Sequence, residues 1–235
     1  MQGILLIDKP KGKTSFHLVS LLRKLTNVQK IGHGGTLDPL ATGVMVLLVG
    51  KAFTTKADSF LTHDKEYTTR ILLGTETDSY DITGVVTRQE TAIPTLEEIT
   101  KAVTLFQGTL EQIPPMFSAK KHKGKKLYEL ARKGQEIERK PSIVTIKTTL
   151  LSYEYPYLDL HISASKGTYI RTIAFDLGRA LGCGATVFEL RRTRQGPFSI
   201  KDCTTTEELV DYFAQTTSKS LPLKGYATFQ ETSHA

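Results

Sequence analysis

Four glycines fall within the twelve residues 32–43, which read Gly-His-Gly-Gly-Thr-Leu-Asp-Pro-Leu-Ala-Thr-Gly, a density that suits neither a helix nor a strand. The stretch must be a loop, and its flank says where that loop lies. Directly after it comes the run Val44 to Val49, the longest apolar run in the chain and a buried-strand candidate. A glycine-rich loop feeding such a strand sits between core elements. Within it Pro39 fixes its own φ and restricts Asp38, so one carboxylate is presented on a shaped turn. An Asx turn explains Asp38 equally well, because Asp and Gly are ordinary turn residues.

Around the loop, strands and helices follow each other without a repeating βα unit. Ile4 to Ile7 reads as a strand, and Thr14 or Ser15 caps a helix with Phe16, Val19, Leu22 and Leu25 on its apolar stripe. Residues 65–74 read as a strand, and Thr95-x-x-Glu98 opens a helix over 95–106 with a capping-box pattern. Leu158, Leu160 and Ile162 alternate with Asp159, His161 and Ser163, the period of a strand with one buried face. A helix follows from Tyr169 to Leu181, ended by Gly182. The expected fold is α+β, with a mixed, mostly antiparallel central sheet and flanking helices and loops. One large domain is expected over 1–222, followed by a polar tail at 223–235.

Several function classes drop out. With 39% apolar and 23% charged residues, the chain is not disordered, collagenous or coiled coil as a whole. No apolar run is long enough for a membrane span, and the N-terminus enters a strand without a signal peptide, so a cytoplasmic protein is expected. Cys183 and Cys203 lack disulfide or zinc-site spacing and read as packing residues. No histidines stand at i, i+4, and no Gly-x-Ser-x-Gly elbow is present. Gly12-Lys13-Thr14 looks like the end of a phosphate-binding loop, but Ile7 stands where that motif needs its first glycine. No cofactor or metal is called for.

The charge is placed unevenly. The net is +7, yet residues 118–147 alone carry ten Lys and Arg, among them Lys120, Lys121 and Lys123, against three Glu, while residues 58–111 sum to −6. Such a cluster suits a polyanion, because lysines and arginines replace the counterions condensed on a phosphate backbone. A solvated lysine face accounts for it as well. Lys166-Gly167-Thr168-Tyr169-Ile170-Arg171, at a strand-to-helix junction, joins an aromatic plane for stacking to a guanidinium for pairing with a carboxylate or phosphate. Surface ion pairs and core edges look the same in sequence.

Taken together the blocks resemble one family, the TruB-type tRNA pseudouridine synthases, in a short form without a C-terminal domain of the PUA type. The resemblance is carried by Asp8-Lys9-Pro10-Lys11-Gly12-Lys13-Thr14-Ser15, by Gly32 to Pro39 with Ala41 and Gly43, and by Thr77-Asp78 with Asp81 and Gly84. It continues through Gln112 to Ala119, Gly124 to Arg132, Gly167 to Arg171, and Leu190-Arg191-Arg192-Thr193 with Gly196 and Phe198. It implies isomerisation of a uridine in the T loop of tRNA, position 55, by a monomer that needs no cofactor and touches no membrane. It further implies a catalytic Asp38, with Arg171 and Tyr67 assisting and His33, Tyr67, Tyr169 and Leu190 around the uridine. Lys9 falls in a supporting block, and Asp81 matches a position that meets the RNA loop. Asp38 would act on the sugar either as a nucleophile at C1′ or as a base at C2′, and the sequence leaves both routes open.

Overall fold

The apolar run near the N-terminus pairs antiparallel with the one behind the glycine-rich loop, from Gly3 opposite Val49 to Lys9 opposite Gly43. The computed structural model describes residues 1–215 and 223–227. In chain order the first elements are β1 (Gly3–Lys9), α1 (Ser15–Thr26), β2 (Ile31–His33), β3 (Thr42–Val49), α2 (Lys51–Thr54), α3 (Ala57–Leu61) and β4 (Lys65–Leu73). Next come β5 (Thr75–Thr77), β6 (Val86–Gln89), α4 (Leu96–Thr104), β7 (Gly108–Gln112), β8 (Lys121–His122), β9 (Lys125–Lys126) and α5 (Leu127–Ala131). The rest are β10 (Ser142–Glu154), β11 (Tyr157–Ala164), α6 (Ile170–Ala180), β12 (Ala185–Gln195), β13 (Phe198–Ser199), α7 (Thr206–Gln215) and β14 (Tyr226–Ala227). The chain divides into two units, one of residues 1–65 with 191–235 and one of residues 66–190.

In the first unit β14, β1 and β3 lie side by side, β2 pairs with β3, and Arg191 and Arg192 of β12 run parallel to Thr42 and Gly43. Ile4, Leu6, Val44, Val46, Leu48 and Cys203 form its core, with Phe53, Phe60, Phe198 and Ile200 packed against it. Each fully buried aliphatic side chain here contributes roughly 1.5–3 kcal/mol. Burial also pushes the Cys203 thiol up to about 12, in keeping with a packing residue.

Three details of this unit depart from the sequence reading. Of the stretch assigned above to the loop, Gly32 and His33 belong to β2, opposite Leu48 and Leu47, and Thr42 and Gly43 open β3, Gly43 opposite Lys9. The gain is non-local pairing, which local composition does not report. Helix α1 is capped by the Thr14 side chain, which accepts from His17 N at 3.0 Å, but it buries Ser15, Leu18, Val19 and Leu22. Phe16 is 63% exposed, with Arg23 over its ring, and Leu25 is only half-buried. The buried stripe passes through Leu18, so Phe16, 200° behind it on a 3.6-residue helix, faces out. Finally, of the segment expected to be a polar tail, Leu223 is buried and Tyr226 and Ala227 pair with Leu5 and Ile4. Residues 228–235 lie outside the described residues.

In the second unit the strand order is β12, β4, β11, β10, β7. β11 alternates between half-buried and buried along its whole length, and β4 places its odd-numbered residues inward. Thr95 and Glu98 form the expected capping box on α4, with Thr95 N donating to Glu98 at 2.7 Å. Helix α6 starts after Tyr169 and is followed by Gly182 at φ 74°, a backbone angle glycine adopts freely. Pairings β1–β3, β1–β14, β2–β3, β7–β10 and β10–β11 are antiparallel and β3–β12 is parallel, so the α+β fold is mixed and mostly antiparallel, as expected. Among the described residues no helix is long and apolar enough to cross a membrane.

Candidate active site

Asp38 sits in the first unit on a segment, residues 34–41, with no helix or strand of its own. Its shape comes from bonds to the main chain on both sides. Ahead of it, Gln195 Nε2 donates to Gly34 O at 2.6 Å, Arg192 Nη1 to Thr36 O at 3.4 Å, and the Ser15 hydroxyl to Leu37 O at 3.1 Å while accepting from Leu37 N at 2.9 Å. Behind it, Pro39 O accepts from Gly12 N at 2.8 Å and from Lys9 Nζ at 3.3 Å, and Ala41 N donates to Asp38 O at 3.1 Å. Gly34, Gly35, Leu37 and Leu40 are buried, Thr36 and Pro39 are exposed, and Asp38 is half-buried between them. That is the arrangement of a group presented to something outside the fold.

Two buried cations flank this loop. Lys9 is fully buried, and its ammonium also donates to Pro10 O at 3.0 Å and Lys13 O at 2.7 Å. Burial lowers its pKa to about 8; the negative charge of Asp38 opposes that shift and Arg192 adds to it. Arg192, 1% exposed, also donates from Nε to Val44 O at 2.7 Å, while its neighbour Arg191 turns out to grip Asp8 through both nitrogens at 3.1 and 2.6 Å. His33, on β2, is half-buried, and burial first and Arg192 second push its pKa below the ordinary value. It is a neutral ring at pH 7. Its Nδ1 has no hydrogen-bond partner among the described residues.

The other expected residues lie in the second unit. Tyr67 on β4 is 8% exposed and Leu190 on β12 is 7% exposed, both as inward strand positions. Tyr169 caps α6, and one side chain holds its backbone twice: Gln112 Oε1 accepts from Tyr169 N at 2.7 Å and Nε2 donates to Tyr169 O at 3.1 Å. Arg171, in the first turn, donates to Ser79 O and Phe117 O, each at 2.7 Å, and lies 3.7 Å from Asp81 Oδ2. Asp81 is itself buried, and its Oδ1 accepts from Ser79 Oγ and Thr83 N, each at 3.0 Å. Within this unit Asp81 and Arg171 therefore tie the turn at 78–84 to the helix and to the segment around Phe117.

Lys120, Lys121 and Lys123 are exposed and lie at or in a two-stranded hairpin, β8–β9. Lys123 and Gly124 turn it with φ of 47° and 84°, the positive pair of a type I′ turn. Lys120 Nζ donates to Ser142 Oγ at 2.9 Å. A cavity of about 360 Å³ also opens in this unit, lined in part by Tyr80, Phe175, Arg139 and Arg179.

Sequence reasoning gave Asp38 a role at the site, but none to the residues that shape its loop, Ser15, Arg192 and Gln195, nor to Gln112 behind Tyr169, although Ser15, Arg192 and Gln112 stand in the blocks that carry the resemblance. All four are buried polar side chains bonded to main-chain atoms. A usable signal existed only for Arg192. In a strand, adjacent side chains face opposite ways, so one of two consecutive arginines must point inward and find buried acceptors.

Two family models match the chain: the TruB family pseudouridylate synthase N-terminal domain over residues 23–170, and the tRNA pseudouridylate synthase B C-terminal domain over residues 171–226. A tRNA pseudouridine synthase B of Protochlamydia amoebophila is 61% identical over 203 residues, 86% of this chain and 78% of that protein. One from Chlamydia abortus is 58% identical over 202 residues, 86% of each chain. Among solved structures, a chain of a Cbf5-Nop10-Gar1 complex is similar with a TM-score of 0.71 and 30% identity, over 90% of this chain and only 54% of its own length. The first model alone spans well over half the sequence, and both relatives are more than half identical to it over the residues that align. By these matches the chain belongs to the TruB family of pseudouridylate synthases, as an isomerase that modifies tRNA.

Proposed function

We propose that this enzyme converts the uridine at position 55, in the T loop of tRNA, to pseudouridine, with Asp38 as the catalytic carboxylate. The observation that carries the reading is the loop itself: Asp38 is half-buried beside exposed Pro39, on a backbone fixed at Leu37 and Pro39. The reaction breaks the bond from sugar C1′ to base N1 and joins C1′ to base C5. The C5 proton is lost and N1 gains one, so no electrons or external group are consumed. Asp38 either attacks C1′ or takes the proton at C2′, and both routes want an ionised carboxylate at the sugar.

A stacked base keeps its sugar and its C5 out of reach, so in this reading the nucleotide leaves the T loop and enters the enzyme. Tyr67 stacks on the base and its phenol assists loss of the C5 proton. The neutral His33 ring fills the place the base has left. Tyr169 and Leu190 keep water from the cleaved intermediate, whose hydrolysis would leave an abasic sugar. Arg171 serves the carboxylate chemistry through its planar guanidinium. The exposed lysines of the β8–β9 hairpin take RNA phosphates, and Asp81 reaches the RNA loop through the turn it organises. Since the hairpin does not depend on Asp38, the same surface supports a second role in tRNA folding.

The test is Asp38→Asn, assayed by tritium release from T-arm RNA labelled at uridine C5. The expected result is no release, with RNA affinity held within a few-fold, because one neutral isostere leaves the positive field nearly intact. Substantial turnover by the purified variant removes Asp38 from the chemistry, and free labelled uracil from the wild type replaces isomerisation with hydrolysis.

A further inference from the structure

We propose that Ser15 and Arg192 are positioning residues: by fixing the backbone of Leu37 and Thr36 they aim the carboxylate of Asp38. The inference rests on Asp38 being the catalytic group. Little that is local holds this segment: residues 34–41 lack secondary structure, glycines stand at 34, 35 and 43, and the local restraints are Pro39 and the bond from Ala41 N to Asp38 O. A chain so rich in glycine has many conformations to lose, and selecting one requires contacts from elsewhere.

Ser15 supplies the contact next to the carboxylate. Its hydroxyl, 22 positions away in sequence, accepts from Leu37 N at 2.9 Å and donates to Leu37 O at 3.1 Å. One atom thus does for Leu37 what a neighbouring strand does for a residue in a sheet. Arg192 acts one residue earlier, and its guanidinium bridges Thr36 O to Val44 O, the incoming side of the loop to the strand that leaves it. With Pro39 O held by Lys9 and Gly12, Asp38 is bracketed on both sides. Ser15 is 4% and Arg192 1% exposed, so each acts through the backbone and not on a substrate. Attack at a sugar carbon needs the reacting atoms within about 3.5 Å, and a displacement of about 1 Å costs on the order of a hundredfold in rate.

The experiment measures single-turnover rate at saturating tRNA, RNA affinity, and melting for Ser15→Ala, Ser15→Thr, Arg192→Lys and the double variant Ser15→Ala with Arg192→Lys. Rates are read at a temperature where circular dichroism shows each variant fully folded. Ser15→Ala should be slower by on the order of 10- to 100-fold, with affinity changed by less than about two-fold, and Ser15→Thr, which keeps the hydroxyl, should recover most of the rate. Arg192→Lys keeps the charge but cannot span both carbonyls, and it should show the same slowing at unchanged affinity. Because both residues hold one loop, the double variant should lose less than the product of the single losses.

A folded Ser15→Ala protein with the wild-type rate overturns the proposal, as does a defect that appears in affinity alone or one that Ser15→Thr leaves unchanged. Should Ser15→Thr fail to fold, Arg192→Lys decides by the same criteria. An inactive Asp38→Asn beside a normal Ser15→Ala sinks this inference only, whereas an active Asp38→Asn sinks the reading beneath it.

Discussion

Lys9 and Lys123 carry the same side chain in opposite settings. Lys9 is fully buried with its ammonium on three main-chain carbonyls, while Lys123 stands exposed at the tip of the β8–β9 hairpin. The first uses its charge to hold backbone, through three charge-assisted bonds made by an ammonium that is itself cut off from water. The second leaves its charge in solvent, where it adds little to stability and is available to a polyanion. A count of positive residues merges the two. The structure separates them by what each ammonium touches.

The sharpest way to break this contrast is to remove each kind of lysine and watch different quantities. Lys9→Met removes a buried ammonium from the carbonyls of Pro10, Lys13 and Pro39, of which Pro39 O keeps Gly12 N, and should cost about 1–3 kcal/mol in urea unfolding. An unfolding free energy within about 0.5 kcal/mol of wild type would place Lys9 with the surface lysines. Replacing Lys120, Lys121 and Lys123 together by Ala should leave unfolding nearly unchanged. It should instead flatten the dependence of log K for RNA on log salt by roughly two units, given 0.7 to 0.9 per phosphate contact. An unchanged slope moves the RNA to another surface.

A smaller effect sharpens the comparison along pH. Because burial lowers the Lys9 pKa from 10.5 to about 8, the unfolded chain holds a proton in that interval that the folded chain has released. Unfolding free energy therefore gains a positive slope with pH between about 8 and 10.5 from this group. Wild type and the triple hairpin variant should share that slope and Lys9→Met should lack it. Parallel profiles for wild type and Lys9→Met would show that the ammonium keeps its proton through this range.

The parts legible in the sequence are those whose signals are local. The Thr95–Glu98 capping box, the alternation through Leu158, Leu160 and Ile162, and the stop at Gly182 were all readable because each depends on neighbours within a few residues. β2 was not, since Gly32 and His33 become a strand only by meeting Leu48 and Leu47. Phe16 misled for a related reason: a three-residue spacing marks a stripe but does not say which stripe faces the core. At the site, Asp38 stood out through its glycines and proline. Gln112, Ser15 and Gln195 did not, because a side chain that bonds to main-chain atoms far away leaves no mark on the residues around it.

That last property reaches beyond mechanism. The contacts named on the Asp38 loop address main-chain atoms: Gly34 O, Thr36 O, Leu37 N and O, and Pro39 O. Anchors of that kind are blind to which side chain the anchored residue carries. The form of the loop is thus encoded by positions outside it, and a solvent-facing member such as Thr36 can drift in identity while the curve of the chain is inherited intact. Substrate preference and loop shape are then free to change on separate schedules, one through the residues that look outward and the other through those that never leave the interior.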